Sequence, residues 1–151
     1  MKKHIVIILI SVFVIVPVFA QQFGREYTTE QPKVRFATLP IYIDSGNQHL
    51  AAYQFELKAV SGQIKIVGVE GGEHPAFADA PYYDPAALAN DRIIIAAFNT
   101  GQNLPTGRTR IAIIHLQIIG DVEPKYQLEL NVAGDENGRE ISAEITCEKE
   151  I

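Results

Sequence analysis

Apolar and polar residues alternate along most of the chain after residue 32. Short segments in which every second residue is apolar follow one another, and Gly, Asn, Asp or Pro closes each of them. Because successive side chains of a strand point to opposite faces, this pattern predicts strands with one buried and one exposed face. The predicted strands are residues 34–36, 39–43, 50–58, 63–69, 92–98, 109–119, 126–132 and 141–146.

These strands predict an all-β fold, a β-sandwich of about eight strands. No apolar pattern of helical period extends over three turns after residue 20. Residues 92–98 are nearly all apolar, which predicts a strand covered on both faces. A phase change predicts a bulge near Gly68. Within residues 50–58, the apolar residues Tyr53, Phe55 and Leu57 share one face. The predicted inward residues are Ala112, Ile114, Leu116 and Ile118 in residues 109–119, and Tyr126, Leu128, Leu130 and Val132 in residues 126–132.

Residues 70–91 interrupt this regular pattern. They contain two glycines, three prolines and two adjacent tyrosines, with no period of two. Asp84 followed by Pro85 predicts one helical turn, with the aspartate as its cap and the proline in its first position. A segment of this length without regular structure is usually functional or mobile, so we look here first for a binding site.

The candidate binding residues of this segment are His74, Phe77, Tyr82, Tyr83 and Asp84. Adjacent exposed tyrosines offer large rigid rings with a hydroxyl at the edge, which suit a protein interface or the face of a sugar ring. The alternative is structural: one tyrosine covers the end of the core and the prolines stiffen the loop. His115, in the outer phase of residues 109–119, is either part of a partner-binding sheet face or a solvated residue.

The sequence predicts no catalytic site, metal site or cofactor. After residue 20 the serines are Ser45, Ser61 and Ser142, which lie in predicted turns or on a polar strand face rather than in a nucleophile motif. The acidic residues and histidines lack the fixed spacing of zinc or calcium sites. We therefore expect a protein that is not an enzyme.

The first 20 residues have the pattern of a signal peptide. A basic start precedes an apolar run over residues 5–16, and Ala20 ends a stretch of small or medium side chains. We predict cleavage after Ala20, a flexible segment over residues 21–32, and a secreted, periplasmic or cell-surface location. The apolar run is shorter than the roughly 20 residues of a spanning helix, so no membrane span is expected after cleavage.

Charge excludes some partners. Lys2 and Lys3 leave with the leader, so the remaining chain has 11 Lys and Arg against 18 Asp and Glu, a net charge of −7. Nucleic acids and anionic membranes need a clustered basic surface, which this sequence lacks. The one cysteine, Cys147, has no second cysteine for an internal disulfide and is predicted to be a small inward-facing residue.

The order of these segments resembles that of the cohesin family, the modules of bacterial extracellular scaffolds that receive dockerins. The residues that carry the resemblance are 39–43, 51–57, 93–98, 107–118 and 135–138. It extends over residues 34–146. It implies a cohesin-like domain over residues 33–147, folded as an antiparallel jelly-roll β-sandwich of about eight to nine strands. For function it implies a protein partner, specifically a dockerin-like one.

Three hypotheses remain open from the sequence. The first is an exported, non-enzymatic, cohesin-like module for protein–protein interaction in an extracellular or envelope assembly. The second is a carbohydrate-binding module that stacks a polysaccharide on Tyr82 and Tyr83. The third is a structural envelope subunit whose sheet edges make the contacts.

Overall fold

Eight strands and two single 3₁₀ turns make up residues 31–148, which are the residues that the computed structural model describes. The strands are β1 (Val34–Asp44), β2 (Ala52–Ser61), β3 (Gln63–Gly71), β4 (Tyr82–Tyr83), β5 (Arg92–Phe98), β6 (Arg108–Ile119), β7 (Lys125–Gly134) and β8 (Glu144–Cys147). The turns are η1 (Pro75–Phe77) and η2 (Pro85–Ala87). The predicted leader and nearly all of the predicted flexible segment lie outside the described residues.

The strands form two antiparallel four-stranded sheets. Sheet A has the order β3-β6-β1-β8 and sheet B has the order β4-β5-β2-β7. The prediction of an all-β fold with two layers is confirmed, because each sheet covers one face of a shared apolar core. Among residues 31–148 no helix is long and apolar enough to cross a membrane.

The core forms where the inward residues of the two sheets meet. In β6 the predicted inward residues Ala112, Ile114, Leu116 and Ile118 are all buried, as is Ile111. From β2 the core receives Tyr53, Phe55 and Leu57. Burial of apolar surface at about 25 cal/mol per Å² makes this interlayer region the main source of stability.

Two predicted strands merge and one predicted bulge is confirmed. Residues 34–36 and 39–43 belong to the single strand β1, because Ala37 and Thr38 continue its pairing with β6. The register of β3 against β6 shifts between Ile66 and Gly68, where the phase change in the sequence predicts it.

The prediction that β5 is covered on both faces is wrong. Ile93 and Ile95 are buried, whereas Ile94 between them is 45% exposed. No second layer of described residues lies over the outer face of sheet B, so this strand has one buried and one exposed face despite its apolar composition.

The inward assignment of Val132 is also wrong. Asn131 is an extra residue between the pairs Gln54–Val132 and Phe55–Leu130 of strands β2 and β7. A bulge of this kind changes the phase of a strand, so Val132 points outward and is 47% exposed. Tyr126, Leu128 and Leu130 before the bulge pack against the core, as predicted, and are half-buried.

Tyr53 joins the two sheets by a hydrogen bond. It belongs to β2 in sheet B, and its hydroxyl donates to the carbonyl oxygen of Ile111 in sheet A at 3.0 Å. Its ring is 2% exposed and meets the ring of Phe77 edge to face, with 5.1 Å between centroids. Burial raises the pKa of the Tyr53 hydroxyl, because the charged form loses its hydration.

We expect Tyr53→Phe to lower the free energy of unfolding by about 1 kcal/mol, because the core keeps its ring but loses one buried hydrogen bond. Urea unfolding measures this loss. Tyr82→Phe is the matched control. The Tyr82 side chain is exposed, so its hydroxyl contacts water in both the folded and the unfolded chain. Equal stability of Tyr53→Phe and the native protein would contradict the interlayer hydrogen bond.

Candidate functional site

The predicted loop over residues 70–91 contains three short ordered elements. The Nδ1 atom of His74 accepts a hydrogen bond from the backbone N–H of Ala76 at 3.2 Å and caps η1. An oxygen of Asp84 accepts from the N–H of Ala86 at 2.9 Å and caps η2, with Pro85 in the first position. The predicted helical turn at Asp84 is confirmed, in its 3₁₀ form.

Phe77 supports this segment from inside. Its side chain is 3% exposed and packs in the core beside Tyr53. Gly72 donates a backbone hydrogen bond to the Phe77 carbonyl at 2.7 Å, which holds η1 against the end of β3. A ligand at the surface would therefore reach His74 or Asp84 more readily than the Phe77 ring.

The two tyrosines form strand β4 and point in opposite directions. Tyr82 pairs with Ala96 and Tyr83 pairs with Ile95 at the edge of sheet B. Tyr83 packs against the core, whereas Tyr82 is 70% exposed on the outer face. The structural interpretation of the tyrosine pair therefore applies to Tyr83, which covers the core. The binding interpretation is left to Tyr82, whose ring is exposed.

Phe98 is the surface aromatic that the sequence analysis missed. It lies at the end of β5, is 66% exposed, and its ring stacks on that of Tyr82 with centroids 6.2 Å apart and an angle of 11° between planes. Burial of Ile93 and Ile95 sets the phase that turns Phe98 outward. Strict alternation from these two residues would have found it.

Tyr82 and Phe98 belong to a larger apolar area, here called the outer patch of sheet B. It comprises Ala52, Tyr82, Ile94, Ala96, Phe98 and Val132. Phe98 pairs with Ala52, and Ala96 connects Tyr82 to Gln54 and so to Val132 on β7. The outer patch thus extends across all four strands of sheet B.

Charged residues border the outer patch beyond Ile94. Arg92 donates two hydrogen bonds to the two carboxylate oxygens of Glu56, each 2.7 Å long. These bonds lower the pKa of Glu56 below its ordinary value, because they favour the charged form. Glu129 lies opposite Glu56 on β7, and Lys58 lies opposite Arg92.

Two depressions adjoin the outer patch. A groove of about 600 Å³ lies between η2 and β5, with Asp84, Asp91 and Arg92 in its walls and Ile94 shared with the patch. A smaller hollow of about 290 Å³ begins at Ala52 and Val132 and extends to Arg139 and Glu140. Both bring polar groups next to exposed apolar side chains.

The outer face of sheet A differs in composition. Phe36 is its most exposed aromatic, at 72%, and it pairs with Gln117 rather than with another apolar residue. His115 Nε2 lies 2.9 Å from a carboxylate oxygen of Glu70 on the neighbouring strand. Arg108 lies over the ring of Tyr42 at 3.6 Å. On this face, polar and charged side chains separate the aromatic rings.

Within residues 31–148, no group of three or more His, Cys, Asp or Glu side chains is placed to hold a metal ion. Cys147 lies in the inward phase of β8 and is half-buried against the core. No protein-family model, no curated protein and no solved structure matches the chain.

We expect Tyr83→Ala and Tyr82→Ala to differ in stability, since only Tyr83 packs against the core. Tyr83→Ala should lower the free energy of unfolding by about 1–3 kcal/mol, and Tyr82→Ala by less than about 1 kcal/mol. Chemical denaturation of both variants measures the difference. Equal losses would mean that β4 does not turn its two rings to opposite faces.

The Glu56–Arg92 pair predicts a pH dependence of stability. Because the folded-state pKa of Glu56 is lowered, the pair stabilises the fold above the unfolded-state pKa of about 4.3 and loses this contribution as pH falls through the folded-state value. We expect unfolding of Glu56→Gln to depend less steeply on pH than that of the native protein below pH about 4.3. Denaturant unfolding at a series of acid pH values measures both slopes, and identical slopes would rule out the effect.

Proposed function

We propose that the protein is an exported, non-enzymatic binding module that holds a partner protein on the outer patch of sheet B. One observation carries this proposal: two stacked aromatic rings, Tyr82 and Phe98, are largely exposed within the outer patch. Protein interfaces commonly place aromatic residues at the centre and charged residues at the rim. The Glu56–Arg92 pair and Lys58 provide such a rim.

The two exposed rings contribute little to folding. Both point away from the core, so their apolar surface stays in contact with water in the isolated chain. Contact with a partner would remove that surface from water, at about 25 cal/mol per Å². Exposed apolar areas of this kind, bordered by polar residues, mark interaction sites more often than isolated apolar residues do.

The finer form of the proposal is a cohesin-like jelly roll with a dockerin-like partner. Its support is the resemblance over residues 34–146, and the leader pattern of residues 1–20 supports export. Dockerins fold around calcium, so binding of such a partner would require calcium. This requirement would come from the partner, because no group of side chains within residues 31–148 is placed to hold a metal ion.

A polysaccharide is the second candidate ligand. The observation that favours it is the near-parallel arrangement of Tyr82 and Phe98, beside a hollow lined by Asn131, Arg139 and Glu140. Sugar rings present an apolar face for stacking and hydroxyls for hydrogen bonds, and this surface offers a partner for each.

We expect Phe98→Ala to weaken partner binding by at least about thirty-fold, because a central aromatic commonly carries 2 kcal/mol or more of an interface. The native protein, Phe98→Ala and Phe36→Ala are immobilised and exposed to envelope extract and culture fluid, with calcium and then with a chelator. Phe36→Ala is the matched control, since Phe36 is similarly exposed on the other sheet.

The supporting result is a protein retained by the native chain and by Phe36→Ala but lost from Phe98→Ala. Dependence of this retention on calcium would select the dockerin-like partner. Equal retention by Phe98→Ala would overturn the proposed site. Retardation of the native chain, but not of Phe98→Ala, in gels that contain a soluble glycan would favour the polysaccharide instead.

A further inference from the structure

Strand β7 leaves one side open at the edge of sheet B. It pairs with β2 along its inner side. On its outer side the segment after the last turn forms hydrogen bonds only with the end of the strand, where Ile141 donates to the Ala133 carbonyl at 2.9 Å and Glu140 bridges to Gly134. Strand β8 of sheet A also lies close to β7 but does not pair with it. From Lys125 to Leu130, no other segment within residues 31–148 pairs with this side. Such an edge presents backbone N–H and C=O groups that suit another strand.

The inward side chains of this open stretch are incompletely covered. Tyr126, Leu128 and Leu130 point toward the core but are only half-buried, unlike the fully buried Phe55 and Leu57 of the neighbouring strand β2. Packing of a further strand beside β7 would cover apolar surface that the described residues leave in contact with water.

The outward side chains of the same stretch carry complementary charges. Lys125 and Glu129 are both exposed and both lie on the outer face, with Gln127 midway between them. If β7 pairs antiparallel with a copy of itself about Gln127, Lys125 of each copy lies opposite Glu129 of the other. The same register places Tyr126 opposite Leu128 on the inner face.

We propose that β7 is a self-complementary edge and that two copies of the chain associate through it, with a twofold axis at Gln127. Shifting the register by two residues places Lys125 opposite Gln127 or Glu129 opposite Gln127, so both charge pairs are lost. Registers about Lys125 or Glu129 place like charges opposite each other, which is unfavourable across a strand pair. The order of these charges is therefore complementary to itself in one register only, which argues for a second copy as the occupant.

This association goes beyond the proposed function and uses the open side of β7 rather than the outer patch. Glu129, which lies opposite Glu56 at the charged border of that patch, is the one residue close to both. It would join the two B sheets into one sheet of eight strands, and the twofold axis would run perpendicular to that sheet. Both outer patches would then face the same side. A dimer of this form would bind a repetitive or clustered partner bivalently.

Sedimentation equilibrium of the purified protein over a concentration series tests the proposal by charge reversal. Lys125→Glu and Glu129→Lys each replace two attractive pairs by two repulsive ones, so each should raise the dimer dissociation constant about tenfold or more. The double variant restores opposite charges and should recover most of the native affinity. Lys65→Glu, the same charge change at an exposed position of β3 in sheet A, is the matched control and should leave association unchanged.

Circular dichroism of each variant confirms folding before association is compared. A native protein that stays monomeric at its highest soluble concentration would overturn the proposal, as would a dimer that ignores both single reversals. Failure of the double variant to recover would rule out this register. None of these results bears on the outer patch, whose test is the loss of partner binding in Phe98→Ala.

Discussion

The two-residue period of the strands, combined with burial of one face of each sheet, determines both the core and the candidate site. In β5 the burial of Ile93 and Ile95 turns Ile94 and Phe98 outward. In β4 the packing of Tyr83 against the core turns Tyr82 to the same outer face. A one-residue slip of either strand would bury the outer patch and expose the core, so the register that stabilises the fold also presents the site.

The sequence predicts the parts of the fold that obey this period. Alternation in β2 and β6 identifies their buried residues, and the Asp84–Pro85 pair identifies a capped turn, because each signal is local. The wrong assignments come from non-local causes. Ile94 is exposed because nothing described covers sheet B, and Val132 is exposed because of a bulge against β2. Neither the uncovered face nor the bulge can be predicted from the sequence of the affected strand alone.

The sequence predicts only part of the candidate site, because the rest depends on contacts between strands. Tyr82 stands out in the sequence as one of two adjacent tyrosines, but its neighbour Phe98 follows it by 16 positions. The strand pairing of Tyr82 with Ala96 brings the two rings together. His74, Phe77 and Asp84 stand out for a different reason: they cap or anchor the segment that places β4 at the sheet edge. The composition of residues 70–91 identifies the segment in the sequence, whereas the strand pairing determines which of its residues are exposed and which support the fold.

We propose that the outer face of sheet B, rather than that of sheet A, contacts a partner. Amide exchange mapped residue by residue, with and without a protein captured by the native chain, decides between the two faces. We expect slowed exchange along β4 and β5 and at Ala52 and Val132. Slowed exchange confined to the outer face of sheet A, around Phe36 and His115, would contradict the proposal.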